Sequence, residues 1–157
     1  MNIDTLREYL LKVAKEGYAT NDEKAWKKEA DGSTTITHSD GLWSMHDNFF
    51  GGEPYGGREV IFYEGKAVWI MTYYGKVMPE VNEIKKVYLF LQKALGQTDT
   101  NYPLRGPKLL EEENLKYENK WNGDLKEFNG EEKILEDGKV VYCAWYRGGF
   151  VDVRAEN

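Results

Sequence analysis

The stretch that decides the fold is residues 57–75, GREVIFYEGKAVWIMTYYG, which recurs as residues 130–148, GEEKILEDGKVVYCAWYRG. The two segments align without a gap at an offset of 73 residues, and 8 of the 19 aligned positions are identical. Such self-similarity at a fixed period indicates a repeated structural unit. We therefore predict an internal duplication, with half one at residues 1–78 and half two at residues 79–157.

Each copy contains a turn dipeptide between two apolar runs, Glu64-Gly65 in half one and Asp137-Gly138 in half two. An acidic residue followed by glycine is typical of a two-residue hairpin turn, because both positions adopt a positive φ. The pattern therefore predicts one antiparallel hairpin in each half.

A helix is predicted before each set of strands. In half one, Ile3, Leu6 and Leu10 recur at helical spacing near the N-terminus. In half two, Pro79 suits the first position of a helix that Gly96 can end. The predicted fold is α+β, each half a helix followed by an antiparallel β-meander, packed as one domain over residues 1–157.

The strand at residues 67–74 is apolar on both faces. A strand of this kind needs cover on both sides of its sheet. Helices can cover one side, and we predict a second sheet, long loops or a second subunit in a homodimer for the other.

The composition of the chain limits the classes of function that it can have. The net charge is −6, and residues 111–138 carry ten acidic and four basic side chains, while no basic stripe occurs anywhere in the sequence. Because acidic surfaces repel phosphate backbones, we expect no nucleic-acid binding. The sequence shows neither a membrane span nor a signal peptide, which predicts a bacterial-type cytoplasmic protein. The single cysteine, Cys143, is expected to be buried as a small apolar residue.

Four segments resemble a known family: residues 46–53 (HDNFFGGE), 57–60 (GREV), 68–75 (VWIMTYYG) and 104–107 (LRGP). The chain resembles an uncharacterised bacterial and archaeal domain that is labelled only as a domain of unknown function. Some relatives lie C-terminal to helix-turn-helix regulators of the Xre type, so the resemblance implies a sensing or partner-binding role.

Catalysis would need a polar constellation, and His46, Asp47, Glu53 and Glu59 are the candidates for a hydrolase-like enzyme. Adjacent strand residues point to opposite faces, which separates His46 from Asp47. We therefore lean against an enzyme, and we expect no cofactor and no metal. Glu59 and its equivalent Glu132 are interpreted as structural carboxylates, with Arg58 and Arg105 available as partners.

We predict instead a non-enzymatic module that binds a small molecule or a protein in an aromatic groove beside a glycine-rich loop. An acidic partner protein of antitoxin or immunity type is the alternative. The candidate site residues are Trp43, His46, Phe49, Phe50, Gly51, Gly52, Glu53, Tyr55, Trp69 and Tyr73.

Overall fold

The computed structural model describes residues 2–18 and 26–154 of the 157-residue chain. It contains two α-helices, α1 (Ile3–Val13) and α2 (Ile84–Leu95), and a π-helical segment at Ala14–Tyr18. The α-helix expected near the N-terminus is confirmed.

The strands of the described residues form one antiparallel sheet in the order β1-β2-β3-β4-β5-β9-β8-β7-β6. Their bounds are β1 Trp26–Lys28, β2 Thr34–Asp40, β3 Trp43–Gly51, β4 Tyr55–Tyr63, β5 Lys66–Val77, β6 Leu109–Glu112, β7 Leu115–Asp124, β8 Glu127–Glu136 and β9 Lys139–Phe150. Strands β2–β5 and β6–β9 are two meanders, and β5 pairs with β9 where they meet. The predicted α+β class with antiparallel strands is confirmed.

Matching irregularities occur in the two meanders. The turns between β4 and β5 and between β8 and β9 each place an acidic residue and a glycine at positive φ, Glu64-Gly65 and Asp137-Gly138. The β4–β5 register shifts between Ile61 and Phe62, and the β8–β9 register shifts at the equivalent point. Both shifts lie next to the repeated hairpin turns.

The helices cover one side of the sheet, which we call the inner face. Helix α1 packs against half one, with Leu6 and Leu10 in the same cluster as Trp69. Helix α2 packs against half two, with Leu91 in the same cluster as Tyr142. Burying these large apolar side chains removes about 1.5–3 kcal/mol of unfavourable hydration for each residue.

Helix α2 begins later than the sequence predicted. Pro79 lies in a turn that closes through a hydrogen bond from Val81 N to Met78 O (3.0 Å), and the helix starts at Ile84. The prediction of Pro79 as the first helical residue is wrong because Met78 is still bound to β9, its N–H donating to Val141 O (2.8 Å). The chain must leave the sheet before it can wind into a helix.

The opposite side of the sheet, the outer face, carries aromatic residues in a cross-strand row. Phe50 lies opposite Gly56, Gly56 opposite Tyr74, and Tyr74 opposite Trp145. The three aromatic side chains are each about half exposed, at 52%, 49% and 46%. A second subunit as cover for this face stays a prediction.

Close approach of β5 and β9 generates a testable prediction about Gly148. A Cβ atom at this position would lie 1.9 Å from the backbone oxygen of Ile70. We expect Gly148→Ala to lower the free energy of unfolding by about 2–3 kcal/mol, because overpacking of this size forces the two strands apart. Urea denaturation measures the change.

Gly52→Ala is the control, since a Cβ at Gly52 meets nothing within 4 Å. Equal stability of the Gly148→Ala and Gly52→Ala proteins would contradict the close β5–β9 contact.

Candidate functional site

A cavity of about 380 Å³ opens on the inner face between α2 and the strands of half one. Strands β1 to β5 supply one wall, α2 supplies the other, and Arg105 reaches in from the α2–β6 connection. The lining residues are Trp26, Lys28, Ile36, Asp47, Phe49, Gly51, Gly52, Tyr55, Tyr73, Tyr88, Leu91, Gln92, Leu95 and Arg105. We call this cavity the aromatic pocket.

Aromatic rings form the walls of the pocket. Trp26 meets Phe49 edge-on with ring centroids 5.9 Å apart. Tyr55 lies 6.0 Å from Tyr73 and 6.1 Å from Tyr88, both in tilted arrangements. Such tilted and edge-on pairs are the favoured geometries for aromatic contacts, and they hold the ring faces in defined positions.

Asp47 is the acidic group of the wall, and it is 2% exposed. The Tyr73 hydroxyl donates a hydrogen bond to its carboxylate. Burial and the nearby charge of Asp47 raise the pKa of Tyr73, so this phenol stays a neutral donor at physiological pH. In half two the equivalent Tyr146 donates to Asn119 (2.7 Å), an uncharged amide.

A buried ion pair joins the pocket to half two. Arg105 donates to Glu132 Oε1 through Nε (3.1 Å) and Nη2 (2.5 Å), and Nη2 also donates to the Tyr55 hydroxyl (3.1 Å). Glu132 is fully buried and accepts further hydrogen bonds from Tyr117 (2.5 Å) and Tyr142 (3.0 Å). Burial lowers the pKa of Arg105, but the Glu132 carboxylate together with Tyr55 and Tyr142 outweighs it, and the pKa stands well above its usual value.

A second polar contact closes the rim of the pocket. Tyr88 of α2 donates to the Glu53 carboxylate and to the backbone oxygen of Gly52 (3.1 Å). Glu53 in turn accepts a hydrogen bond from Val77 N (2.8 Å). The contact therefore ties α2 to the glycine-rich loop and to the end of β5.

The structure brings five of the predicted site residues together in the pocket, and these are Phe49, Gly51, Gly52, Tyr55 and Tyr73. Glu53 lies at the rim through its contact with Tyr88. That these residues bind a ligand stays a prediction.

The other four predicted residues lie elsewhere. His46 and Phe50 flank inward-facing residues of β3, so strand alternation directs both to the outer face. Trp43 stacks on Tyr9 of α1 at 5.3 Å. Trp69 is fully buried in the core that contains Leu6 and Leu10 of α1, and its indole N–H donates to Leu125 O (2.9 Å). Expecting Trp43, Phe50 and Trp69 in the groove was wrong, because a shared strand does not place side chains at the same depth or on the same face.

The glycines of the predicted loop have different roles. A Cβ at Gly51 would lie 2.4 Å from Pro54 O, and one at Gly57 would lie 2.4 Å from Asn48 O, so both are required by backbone contacts. Gly52 has open space in front of it and a φ outside the left-handed region. Gly52 also lines the pocket.

Sequence reasoning missed the pocket roles of Trp26, Tyr88, Gln92 and Arg105. Tyr88 and Gln92 lie on the predicted second helix, one turn apart, a spacing that places them on the same helix face. Arg105 was noticed only as a partner for a glutamate. In the structure Arg105 has a positive φ of 69°, a strained conformation that the contacts of its side chain hold in place, and no feature of the sequence indicates it.

His46 and Asp47 do not form a catalytic pair, since Asp47 lines the pocket and His46 faces the other side of the sheet.

Cys143 is buried as expected, and burial raises the pKa of its thiol. Within residues 2–18 and 26–154, no group of three or more His, Cys, Asp or Glu side chains could hold a metal ion.

Residues 47–151 match the model of a family described as a domain of unknown function, DUF5680. The chain belongs to the DUF5680 family. The expected kinship with an uncharacterised domain is thereby confirmed, while bacterial or archaeal origin and the association with helix-turn-helix regulators stay predictions. No curated protein and no solved structure matches the chain. In the part of this DUF5680 protein that the structure describes, no helix is long and apolar enough to cross a membrane.

The Arg105–Glu132 pair gives a prediction for the stability of this DUF5680 domain. Glu132→Gln leaves the guanidinium buried without its counter-charge, and we expect the free energy of unfolding to fall by about 3–5 kcal/mol. Glu131→Gln, which removes a partly exposed partner of Lys133, should cost less than about 1 kcal/mol. Urea titrations of both proteins measure the difference, and similar losses would show that the buried pair is not decisive.

The buried tyrosines give a prediction about alkaline pH. Burial, the largest cause, raises the pKa of Tyr73, Tyr117, Tyr142 and Tyr146. An unfolded tyrosine ionises near pH 10, whereas these buried tyrosines keep their protons. Their contribution to the free energy of unfolding is therefore intact below pH 10 and is lost as the pH rises further, because ionisation stabilises the unfolded state alone. We expect each to reduce the free energy of unfolding by up to about 1.4 kcal/mol per pH unit above pH 10.

Urea denaturation between pH 8 and pH 11.5 measures this slope, with Tyr146→Phe as the informative variant. The variant should be less stable at pH 8, because Asn119 loses its donor, yet its stability should fall less steeply above pH 10. Tyr74→Phe, on the exposed outer face, is the matched control. A slope unchanged by Tyr146→Phe would refute the assignment.

Proposed function

We propose that this DUF5680 domain is a non-enzymatic module that binds a small organic molecule in the aromatic pocket. The observation that carries the proposal is the pocket itself, about 380 Å³ in volume and walled by Trp26, Phe49, Tyr55, Tyr73 and Tyr88. Ligand sites in proteins measure about 300–1,000 Å³ and combine apolar walls with a few polar groups. The pocket has both properties.

The polar groups around the pocket favour binding over catalysis. A catalytic acid or base works best when its pKa lies near the operating pH. Here burial is the largest cause that raises the pKa of Tyr55, Tyr73 and Tyr88, so these phenols hold their protons at neutrality. Their hydroxyls are engaged with other side chains, and that organisation supports a fixed binding surface.

A sensory role is supported by the construction of the rim. The contact of Tyr88 with Gly52 and Glu53 joins α2 to the glycine-rich loop directly beside the pocket. A ligand in the pocket touches both elements, so its binding energy can favour one arrangement of α2 against the loop over another. This is the physical basis on which the domain would report occupancy to a partner.

We also infer that the two halves arose by duplication and form one domain. Support comes from the matching hairpin turns and register shifts, and from the pairing of Tyr73 with its equivalent Tyr146 across β5 and β9. Glu59 and its equivalent Glu132 are both buried on the inner face. A single sheet running through both halves favours one cooperative unit.

Native mass spectrometry of freshly purified protein, compared with the denatured mass, tests the proposed function. We expect the native protein to carry a small molecule that is lost on denaturation. The Gly52→Trp variant should lose that mass, because it adds a large side chain at a residue that lines the pocket and that accepts one without backbone strain. Phe50→Trp, two residues earlier on the outer face, should retain it.

Retention of the same mass by Gly52→Trp would place the ligand outside the pocket and refute the proposal. The native mass also tests the homodimer, which would bury the outer-face row of Phe50, Tyr74 and Trp145.

A further inference from the structure

Arg105 keeps part of its hydrogen-bonding capacity unused. Its side chain is 9% exposed, and it donates through Nε and Nη2 to Glu132 and Tyr55. No described residue accepts a hydrogen bond from its third nitrogen, Nη1. A buried guanidinium with idle N–H groups carries a cost that an incoming acceptor can relieve.

The unused nitrogen borders empty space. Among the residues that the structure describes, Thr98 Oγ1 is the one fully buried side-chain polar atom that lacks a hydrogen bond. Nη1 of Arg105 lacks one too, so it must retain accessible surface. Arg105 and Leu95 line both the aromatic pocket and a smaller cavity of about 40 Å³. Arg105 therefore lies at the boundary between the two cavities.

Counted over the residues that line the pocket and the partner of Arg105, the charges cancel; the Glu53 carboxylate at the rim and Glu59 in the smaller cavity lie outside this set. Arg105 is balanced by Glu132, and the other charged lining residues, Asp47 and Lys28, have opposite signs. Burying a net charge on a ligand in such a site costs several kcal/mol that no counter-charge returns. An uncharged ligand avoids that cost.

The helical wall adds a second polar group. The Gln92 side chain lines the pocket, one turn of α2 beyond Tyr88, and its amide makes no hydrogen bond to the described residues. An amide offers both a donor and an acceptor, so it can bind a neutral polar group in either role.

We propose that the aromatic pocket selects an uncharged, planar aromatic compound that carries a carbonyl oxygen, with the ring against the aromatic walls and the carbonyl accepting from Arg105 Nη1. This ligand class rests on the proposed function of the pocket. The rings supply affinity for the flat body of the ligand, whereas Arg105 distinguishes a carbonyl group from an apolar group of the same shape.

Four probes of nearly equal shape test the ligand class. Acetophenone is the neutral carbonyl compound, and α-methylstyrene replaces its C=O group by C=CH₂. Benzoate carries a negative charge and benzamidinium carries a positive one. Dissociation constants are measured by protein-observed NMR titration at fixed pH and salt. We expect acetophenone to bind about tenfold more tightly than α-methylstyrene and more tightly than either ion.

The contribution of Arg105 is isolated with Arg105→Lys, which keeps a charge for Glu132 but lacks the third nitrogen of the fork. The preference for acetophenone over α-methylstyrene should disappear in this variant, while α-methylstyrene itself binds as before. If Arg105→Lys fails to fold by circular dichroism, the double variant Arg105→Met/Glu132→Gln removes both charges together and takes its place.

The outcomes separate this inference from the proposed function. If all four probes bind without preference for acetophenone and Gly52→Trp abolishes that binding, the ligand class is overturned and the pocket remains a binding site. Tighter binding of benzoate or benzamidinium would likewise overturn it. If no probe shows binding that Gly52→Trp reduces, both the ligand class and the pocket as a binding site are contradicted.

Discussion

The ion pair between Arg105 and Glu132 is the interaction on which the rest of the structure depends. Removing a carboxylate and a guanidinium from water costs several kcal/mol for each ion, and only mutual attraction with further hydrogen bonds offsets that cost. Glu132 has Tyr117 and Tyr142 as additional donors, while Arg105 reaches Tyr55 and lies 5.5 Å from the ring centre of Tyr73. The pair therefore fastens the α2–β6 connection to both halves of the sheet at once.

This constraint accounts for the position of the pocket. With α2 packed on half two, a gap remains between this helix and the strands of half one on the inner face. Arg105 occupies one side of the gap, and Tyr88 holds the other side to the glycine-rich loop. The pocket is thus a consequence of α2 being anchored at fixed points, with aromatic side chains of β1, β3, β4 and β5 forming the opposite wall.

The two halves differ where the pocket lies, although their hairpin turns and register shifts match. Tyr73 meets Asp47 whereas the equivalent Tyr146 meets Asn119, and the half-two position is buried in the inner-face core with Phe128. The position beside Tyr73 therefore carries a charged aspartate next to the pocket, whereas the matching position beside Tyr146 is uncharged and filled. The difference arises from residues outside the strongly repeated segment, which the backbone pattern does not constrain.

The hairpins were predictable because the Glu64-Gly65 and Asp137-Gly138 dipeptides favour two-residue turns at positive φ. The inner-face strands were predictable because the alternation of side chains along a strand is a local property. Part of the candidate site was also predictable, since Phe49, Gly51, Gly52, Tyr55 and Tyr73 follow one another on β3, the loop and neighbouring strands. Trp69 was misplaced because alternation tells which face a side chain takes but not what covers it.

The sequence by itself determined the antiparallel meanders, the presence of two helices and the burial of Cys143, which depend on residues close together along the chain. The sequence offered Arg58 and Arg105 as partners for Glu59 and Glu132, and only the tertiary structure decided that Arg105 pairs with Glu132. It also decided that Tyr88 joins the glycine-rich loop and that α2 begins at Ile84 rather than Pro79. These features depend on contacts between residues distant in sequence. Such contacts form only when the sheet brings the two halves together, and no local pattern encodes them.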